Sequence, residues 1–375
     1  MIAVHGGVGF RNDRALSAAC ADALRIGEGD VVRVVSCLEE NLLFNCGYGS
    51  NPTMSGTIEC EACFMSSDGS KYVMYGAVGA STRLRNPSQV AKAIAFEDKR
   101  GGLVPPMVLV GAGAEEWAEK RGFALCNPEE LATKKTTEIW RKALNAFEKT
   151  ERFQMDTVGA ISILDLATKK TTEIWRKALN AFEKTERFQM DTVGAISILE
   201  DAVEACTSSG GLMLKHPGNF NFKRRIGENC YFFPFKGRLG HCTAFGSGVW
   251  ADRKEDRSIA VTVSGCGEAI TRANFCRSLA DRILQRSEDQ LSSSVIHSFF
   301  EKEFLNSNLM GSIDSNRLYA GGLVLIEESD GFSELIIFHN TPVLPFAYRK
   351  GSTVSKGLSQ LPPGSNILVE SYPCR

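Results

Sequence analysis

Hydroxyl side chains beside glycine-rich turns are the groups in this sequence whose types and spacing suit nucleophilic chemistry. Thr192 lies in DTVGA, and two serines follow it in TSSGG at 207–211. Further turns of the same kind are VHGGVG at 4–9 and TVSGCGE at 262–268. Glycine lets backbone N–H groups approach a substrate oxygen closely, as an oxyanion hole requires. Each turn alone is typical of an ordinary strand end, so the hypothesis of a hydroxyl nucleophile rests on the four together.

A hydroxyl nucleophile needs a base. None of the five histidines lies in a recognisable nucleophile elbow. A threonine at a chain N-terminus needs no histidine, because its own α-amine activates the hydroxyl. That amine titrates near ~8 in model compounds, close to the working pH. It exists at Thr192 only after the Asp191–Thr192 peptide bond is cut.

The segment around DTVGA belongs to an internal repeat. Residues 131–164 recur without one change at 166–199, which indicates a recent duplication or a faulty exon assembly. Two copies do not make a solenoid, so we expect one copy alone to enter the fold. In each copy, apolar residues at helical spacing precede VGAISIL, whose β-branched content is typical of a buried strand.

The two copies place the predicted helix-to-strand boundary at Asp156–Thr157 and at Asp191–Thr192. After Thr192 the strand runs into a short polar turn at 200–201 and then into a second strand that ends in TSSGG. A tight hairpin would pair the strand after Thr192 with the strand that ends in TSSGG. From Thr157 the same pairing would loop out a whole repeat, which costs closure entropy and slows folding. The sequence therefore favours Thr192 as the nucleophile.

The remaining chain alternates apolar strands with glycine-rich turns and amphipathic helices. Predicted strands carry the sequences MIAVHGG, TIECEACFM, YVMYGAVGA and PPMVLVGAG before the repeat, and EACTSSGG, SIAVTVSGCGE and GGLVLIEE after it. Helices are predicted over 87–99 and 272–286. This pattern favours sheets covered by helices. The basic and aromatic stretch 219–236 fits neither pattern and is interpreted as an insertion loop.

Length and composition limit the classes of function. The 375 residues are 43% hydrophobic and 23% charged, which suits one large or two ordinary packed domains. Lys and Arg number 43 against 44 Asp and Glu, so no net field favours nucleic acid or a membrane surface. No apolar run is long enough to span a bilayer and the start lacks a signal-peptide pattern, so we expect a soluble intracellular protein. Its 12 cysteines are then reduced thiols, and we do not expect the single Cys60-x-x-Cys63 pair to bind metal.

Eight motifs in one order resemble those of a known family. They are HGGVG, FNCGYGSN, YGAVGA, DTVGA, SSGGLMLKHPG with GRLG, SGCGE, GGLVL and LPPG. Together they resemble threonine aspartase (taspase), in the asparaginase-type branch of the N-terminal nucleophile hydrolases. The resemblance implies an α+β, four-layer αββα sandwich that uses no cofactor and no metal. It also implies a single domain made of an α subunit, residues 1–191, and a β subunit, residues 192–375, with 131–165 as a duplicated segment and 219–236 as an insertion.

The resemblance also assigns roles to the residues that match the family's motifs. Thr192 would be the nucleophile, and Asp191 the residue whose peptide bond it breaks in self-cleavage. The supporting positions are Ser209, whose hydroxyl bonds Thr192; Ser264 and Gly265, whose N–H groups form the oxyanion hole; Arg238, which binds the substrate carboxylate; and Asn45, His5, Gly6, Gly7 and Gly9, which surround the new N-terminus. An insertion precedes Arg238, where the family runs directly from KHPG into this motif.

The resemblance implies an endopeptidase that cuts protein substrates after Asp in Gln-apolar-Asp-Gly-like sites. It points to nuclear regulatory proteins such as mixed-lineage-leukaemia-type methyltransferases as substrates, to the nucleus and cytoplasm as the location, and to an α/β heterodimer that can pair further. The basic nuclear-import cluster that is usual in the family has no counterpart in this sequence. No nucleic-acid or membrane partner is expected.

Two alternative functions stay open. One is a small-molecule amidohydrolase of the asparaginase or isoaspartyl peptidase type. Those enzymes have Gly before the threonine, TGHGE in the later loop and Asp after GRxG, whereas Asp191, SGCGE and His241 occupy these places here. The other alternative is an unprocessed, inactive chain in which the duplication and the insertion block folding or cleavage.

Overall fold

The computed structural model describes residues 1–9, 12–69, 72–97, 103–160, 192–215, 221–226, 229–234, 238–254, 256–311 and 313–374. Asp191 and the part of the second repeat copy that precedes it lie outside the described residues. In chain order the strands are β1 (Ile2–His5), β2 (Cys60–Ser67), β3 (Met74–Ser81), β4 (Val108–Val110), β5 (Val193–Ile198), β6 (Val203–Ser209), β7 (Asn221–Ile226), β8 (Asn229–Pro234), β9 (Val249–Arg253), β10 (Arg257–Gly265), β11 (Ala320–Glu328), β12 (Ser333–His339), β13 (Val343–Lys350), β14 (Thr353–Gln360) and β15 (Leu368–Cys374). The α-helices are α1 (Arg14–Gly27), α2 (Val31–Glu39), α3 (Pro87–Ala95), α4 (Gly111–Glu119), α5 (Lys134–Ala160), α6 (Gly267–Ala273), α7 (Phe275–Leu284) and α8 (Ser292–Phe299).

The larger sheet has the strand order β14-β13-β1-β5-β6-β2-β3-β4. Its central strand β5 runs antiparallel to β1 on one side and to β6 on the other. Every residue of β1 and β5 is buried, as uninterrupted apolar runs predict for strands that are covered on both faces. The predicted tight hairpin of β5 and β6 is confirmed, because Ile198 lies opposite Val203 and Leu199 N donates to Ala202 O (2.9 Å).

The smaller sheet has the order β15-β12-β11-β10-β9 and packs face to face on the larger one, with β10 against β5 and β6. Helices α1, α2 and α3 cover the outer face of the larger sheet, and α7 and α8 pack on the smaller sheet. One apolar cluster fills the space between the sheets and reaches α7 and α8, and a second lies between the larger sheet and α1 to α3. The predicted four-layer αββα sandwich is confirmed.

Side-chain caps fix the starts of the helices behind the central strands. The Asp13 carboxylate accepts a hydrogen bond from Ala15 N (2.9 Å) where α1 begins. Asp30 accepts from Val32 N (2.8 Å) and Arg33 N (3.1 Å) where α2 begins. Such a cap satisfies amides that have no partner within the helix and contributes about 1 kcal/mol. The cap at Asp30 thus fixes the start of α2, which packs against β5, the strand that follows Thr192.

The two copies of the repeat contribute different elements, which corrects the expectation that one copy alone enters the fold. The first copy supplies α5, whose Trp140 Nε1 donates to Thr53 O (2.8 Å) and whose apolar residues pack on Leu214. The second copy supplies β5. The strand predicted directly after Thr157 is wrong, because α5 continues through that residue to its end. Only one strand can pair with this edge of β6. The second copy provides it, because a short turn joins that copy to β6.

Three other elements differ from their prediction. The helix expected over 87–99 ends at Ala95, and the helix expected over 272–286 is divided into α6 and α7 at Asn274, whose φ of 43° is left-handed. The stretch 219–236, interpreted as a loop, contains the antiparallel strands β7 and β8, which form a separate two-stranded sheet. Within the described ranges, no helix is both long and apolar enough to cross a membrane.

Candidate active site

The two hydroxyls predicted to meet lie at the open end of the β5–β6 hairpin. Thr192 directly precedes β5 and is only 5% exposed, and its Oγ1 lies 2.9 Å from Ser209 Oγ. The Ser209 hydroxyl also accepts a hydrogen bond from Gly211 N (3.0 Å). The register explains the contact, because Val193 lies opposite Ser208 and the next residue outward on each strand is therefore Thr192 or Ser209.

Strand β1 brings His5 to the same end of the sheet, opposite Gly194. His5 Nε2 lies 3.2 Å from Thr262 Oγ1 in the facing sheet. Burial lowers the pKa of His5 to about 3, and the neighbouring His241 adds a smaller electrostatic effect in the same direction. The imidazole is therefore neutral. Because it is packed between the two sheets, we infer that His5 supports β5 and does not act as a general base.

Glycines shape the loop that follows His5. Gly7 has a φ of 91°, a left-handed value that suits glycine. A Cβ on Gly6 would lie 2.5 Å from Phe44 Cε1, so this position has no room for a side chain. Gly6 N donates to Pro345 O (2.9 Å) and Gly9 N to Val343 O (3.1 Å), which ties the loop to the strand on its other side.

Asn45 supports the turn that follows Ser209. Its Nδ2 donates to Gly211 O (2.9 Å), its backbone O accepts from Gly210 N (2.7 Å), and its Oδ1 accepts from Asn51 N (2.8 Å). Asn45 is buried and lines the same cavity as Thr192 and Ser209. The side chain thus fixes the backbone that positions the Ser209 hydroxyl.

The SGCGE turn lies where β10 ends, beside the same cavity. Gly265 lines the cavity and has a φ of 147°, and a Cβ there would lie 2.3 Å from Tyr319 O, so only glycine fits. Ser264 is fully buried in β10, and its hydroxyl accepts from Val8 N (3.2 Å). The structure therefore places Gly265 at the cavity wall and Ser264 behind it, and the oxyanion-hole role of their N–H groups stays a prediction.

Arg238 lines this cavity together with Thr192, in spite of the insertion that precedes it. Its Nε donates to Glu268 Oε1 (2.6 Å), and its terminal guanidinium nitrogen Nη2 pairs with the same oxygen. A planar guanidinium is suited to bind the two oxygens of a carboxylate. A substrate carboxylate would have to share Arg238 with Glu268 or displace it.

Several charged residues of the cavity escaped the sequence analysis. Lys215 is half-buried and lines the cavity. Its Nζ donates to the backbone O atoms of Glu59 (2.6 Å) and Gly210, and desolvation lowers its pKa. Glu61, in β2, also faces the cavity and accepts from Gly240 N (2.7 Å). The sequence did contain a signal for Glu61. Glu59 and Glu61 lie at alternate positions of a predicted buried strand, and a buried acidic residue without a partner is rare.

The remaining predicted positions can be placed as follows. Asp191 lies outside the described residues, and Thr157 lies within α5, not at the start of a strand. Cys60 and Cys63 are buried thiols in β2, and burial raises the pKa of both, to about 11 for Cys60.

A four-layer sandwich in which a threonine precedes the central strand of one sheet is the architecture of an N-terminal nucleophile hydrolase. Comparison with known proteins gives the family: the chain belongs to the asparaginase family (Asparaginase_2), whose model matches residues 15–227. It is therefore a member of a family of hydrolases.

Curated relatives agree with this family. The isoaspartyl peptidase of Escherichia coli (strain K12) is 30% identical over 301 residues, which cover 73% of each chain. The "Probable isoaspartyl peptidase/L-asparaginase 2" of Arabidopsis thaliana is 28% identical over 362 residues, 90% of this chain and 98% of the relative. The isoaspartyl peptidase/L-asparaginase of Mus musculus is 25% identical over 332 residues, 86% and 76% of the two chains. Membership of the threonine aspartase branch stays a prediction.

Proposed function

We propose that this protein is a threonine amidohydrolase that cleaves amide bonds of an aspartyl-type acyl group, with isoaspartyl peptides or L-asparagine as its substrates. The observation that carries the proposal is the Thr192–Ser209 hydroxyl pair (2.9 Å), in a cavity that Arg238 also lines. The relatives named isoaspartyl peptidase and L-asparaginase support the same class of reaction.

The chain must first cleave itself for Thr192 to become an N-terminal nucleophile. In this step Thr192 Oγ1 attacks the carbonyl carbon of Asp191, the peptide C–N bond breaks, and the freed nitrogen takes the hydroxyl proton to become the α-amine. Water then hydrolyses the resulting ester, which releases the Asp191 carboxylate and restores the Thr192 hydroxyl. The bond from Ser209 holds that hydroxyl in place.

The same groups would act on a substrate amide. The Thr192 amine takes the proton of Oγ1 as the oxygen attacks the substrate carbonyl, and the backbone at Gly265 stabilises the negative oxygen. The leaving amine, or ammonia from asparagine, takes the proton from the Thr192 ammonium. Water adds to the acyl ester in the second half of the reaction, so the net consumption is one water per amide bond.

The charges of the cavity suit a small substrate that carries both a carboxylate and an ammonium. Arg238 is a partner for the carboxylate. Glu61 faces the same cavity and bonds Gly240 N, one residue before the position at which small-molecule enzymes of this kind carry an aspartate. The Glu61 carboxylate therefore provides an anionic partner for an ammonium that His241 cannot provide.

A second candidate function is the endopeptidase reaction after Asp in proteins. The observation in its favour is His241, which occupies the aspartate position and whose pKa burial lowers, so that it carries no charge to pair with an ammonium. A peptide bond within a protein has no free ammonium beside it, and Arg238 alone would then bind the Asp side chain. The SGCGE loop, in place of TGHGE, agrees with this candidate.

A competition among substrates separates the two candidates. Processed protein is offered L-asparagine, an isoaspartyl dipeptide, a peptide containing Gln-Val-Asp-Gly, and the same peptide with Asn for Asp. Release of ammonia and dipeptide cleavage with both longer peptides intact support the amidohydrolase, and cleavage of the Asp peptide alone supports the endopeptidase. Glu61→Gln sharpens the test, because it should raise KM for asparagine and leave cleavage of the Asp peptide unaffected.

A further inference from the structure

A carboxylate, an imidazole and a thiol converge at the floor of the active-site cavity. One ligand atom from each of Glu61, His241 and Cys242 lies within 4.8 Å of the other two. His241 Nε2 is 3.9 Å from Cys242 Sγ. All three residues are buried, and Glu61 and His241 also line the cavity that contains Thr192. The cluster therefore connects directly to the candidate active site.

The spacing of these atoms is close to that of a tetrahedral zinc site. Zn–S bonds of about 2.3 Å and Zn–N bonds of about 2.0 Å place the sulfur and the nitrogen roughly 3.5 Å apart. The observed 3.9 Å between Sγ and Nε2 needs only a small closure. Thiolate, imidazole and carboxylate are together the ligand set of zinc and not of hard cations such as Mg²⁺.

The elements that hold the three residues fix their positions. Glu61 is in β2, and Gly240 N, directly before His241, donates to its Oε2 (2.7 Å). His241 and Cys242 begin a short 3-10 turn. Three protein ligands leave the fourth position of a tetrahedral ion free, and two of the three ligands line the cavity.

We propose that Glu61, His241 and Cys242 form a Zn²⁺ site, and that Zn²⁺ bound there inhibits hydrolysis at Thr192. Binding replaces the Cys242 S–H bond by a Zn–S bond and releases the proton to solvent. The carboxylate and the thiolate then balance the two charges of the ion. The ion takes Glu61 away from the substrate ammonium and fills the cavity with its fourth ligand, so that inhibition is competitive with substrate.

Binding is tested on the full chain without reference to any activity. Cobalt(II) is added as a spectroscopic probe, because a thiolate ligand gives a charge-transfer band, and Zn²⁺ should then displace the cobalt. Cys242→Ala should abolish the band and weaken zinc binding by more than about 100-fold, beyond the 10- to 100-fold loss that is typical of outer ligand partners. Cys276→Ala is the matched control, a thiol equally buried but in α7, and it should keep the band.

The inhibition arm rests on the proposed function, whereas the binding arm does not. Zinc should raise the apparent KM of wild-type protein, and chelation should reverse the effect. Cys242→Ala should be resistant to the same zinc concentration. Equal cobalt and zinc binding by wild type and Cys242→Ala, or no binding by the wild type, overturns the site. Binding at Cys242 without any change in KM overturns the inhibitory role alone.

Discussion

Ser209→Ala removes the hydroxyl that lies 2.9 Å from the Thr192 hydroxyl. Oγ1 becomes more negative as it gives up its proton on the way to attack, and a hydrogen bond to a charged group contributes about 1.5–3 kcal/mol. The loss predicts self-cleavage about 10- to 150-fold slower than in the wild type. The Gly211 amide also loses its acceptor, which adds a cost of about 1 kcal/mol to folding.

The assay is the time course of cleavage between Asp191 and Thr192, followed by intact mass. Ser208→Ala is the matched control, since it removes a buried hydroxyl from the same strand whose bond to Glu61 O is long (3.4 Å). We expect it to cleave near the wild-type rate. The reasoning is refuted by a Ser209→Ala chain that cleaves as fast as wild type, or by a Ser208→Ala chain that is equally impaired.

Three further predictions concern packing, ionisation and substrate binding. Gly194→Ala would put a Cβ 2.1 Å from Thr262 Oγ1 and should lower the free energy of unfolding by about 1–3 kcal/mol. Gly113→Ala is the control, because a Cβ there would meet nothing within 4 Å, and it should be neutral or raise the free energy of unfolding by up to about 1 kcal/mol. Urea titrations measure both. Burial raises the pKa of Glu39 from 4.5 to about 7. The folded state thus binds this proton more tightly than the unfolded state does. The stability that this difference contributes is complete below about pH 4.5 and is lost as the pH rises through 7. Glu39→Gln should therefore gain up to about 3 kcal/mol relative to wild type between pH 5 and pH 8, and an unchanged difference in unfolding free energy would contradict this. Arg238→Ala should lower kcat/KM for the substrate by about 10- to 100-fold and Arg238→Lys by less, and normal activity of the alanine variant would show that another residue binds the carboxylate.

The sequence predicted the elements that carry the site because their patterns are local. The apolar run of β5, the short turn at 200–201 and the resemblance to a known family together predicted Thr192 beside Ser209, as the structure has them. The sandwich followed from strands alternating with helices, together with the resemblance to a known family. The order of motifs along the chain therefore predicted both the layered architecture and the end of the sheet at which the glycine-rich turns lie.

The repeat shows what local sequence cannot decide. Val158, Gly159 and Ala160 end α5, whereas the identical residues Val193, Gly194 and Ala195 begin β5. The same sequence takes two structures because only the second copy is joined by a short turn to β6, and pairing in the sheet overrides local preference. No propensity could have separated the two copies.

The sequence pattern also could not show which charged residues come together at the cavity. Glu61 and Lys215 are far apart in the chain and line one cavity, because β2 pairs with β6, the strand that leads to Lys215. The ion pair of Arg238 with Glu268 also joins two separate motifs. Long-range pairing of this kind depends on which strands are neighbours, and the alternation of apolar residues does not specify that order.

Self-cleavage before Thr192 is the central claim, and intact-mass analysis of the purified chain tests it most directly. We expect two associated fragments, residues 1–191 and 192–375, in the wild type and in Thr157→Ala, and full-length chain in Thr192→Ala. Edman sequencing of the second fragment should begin at Thr192. Full-length wild-type chain after prolonged incubation, or a split that persists in Thr192→Ala, would contradict the assignment of Thr192 as an N-terminal nucleophile.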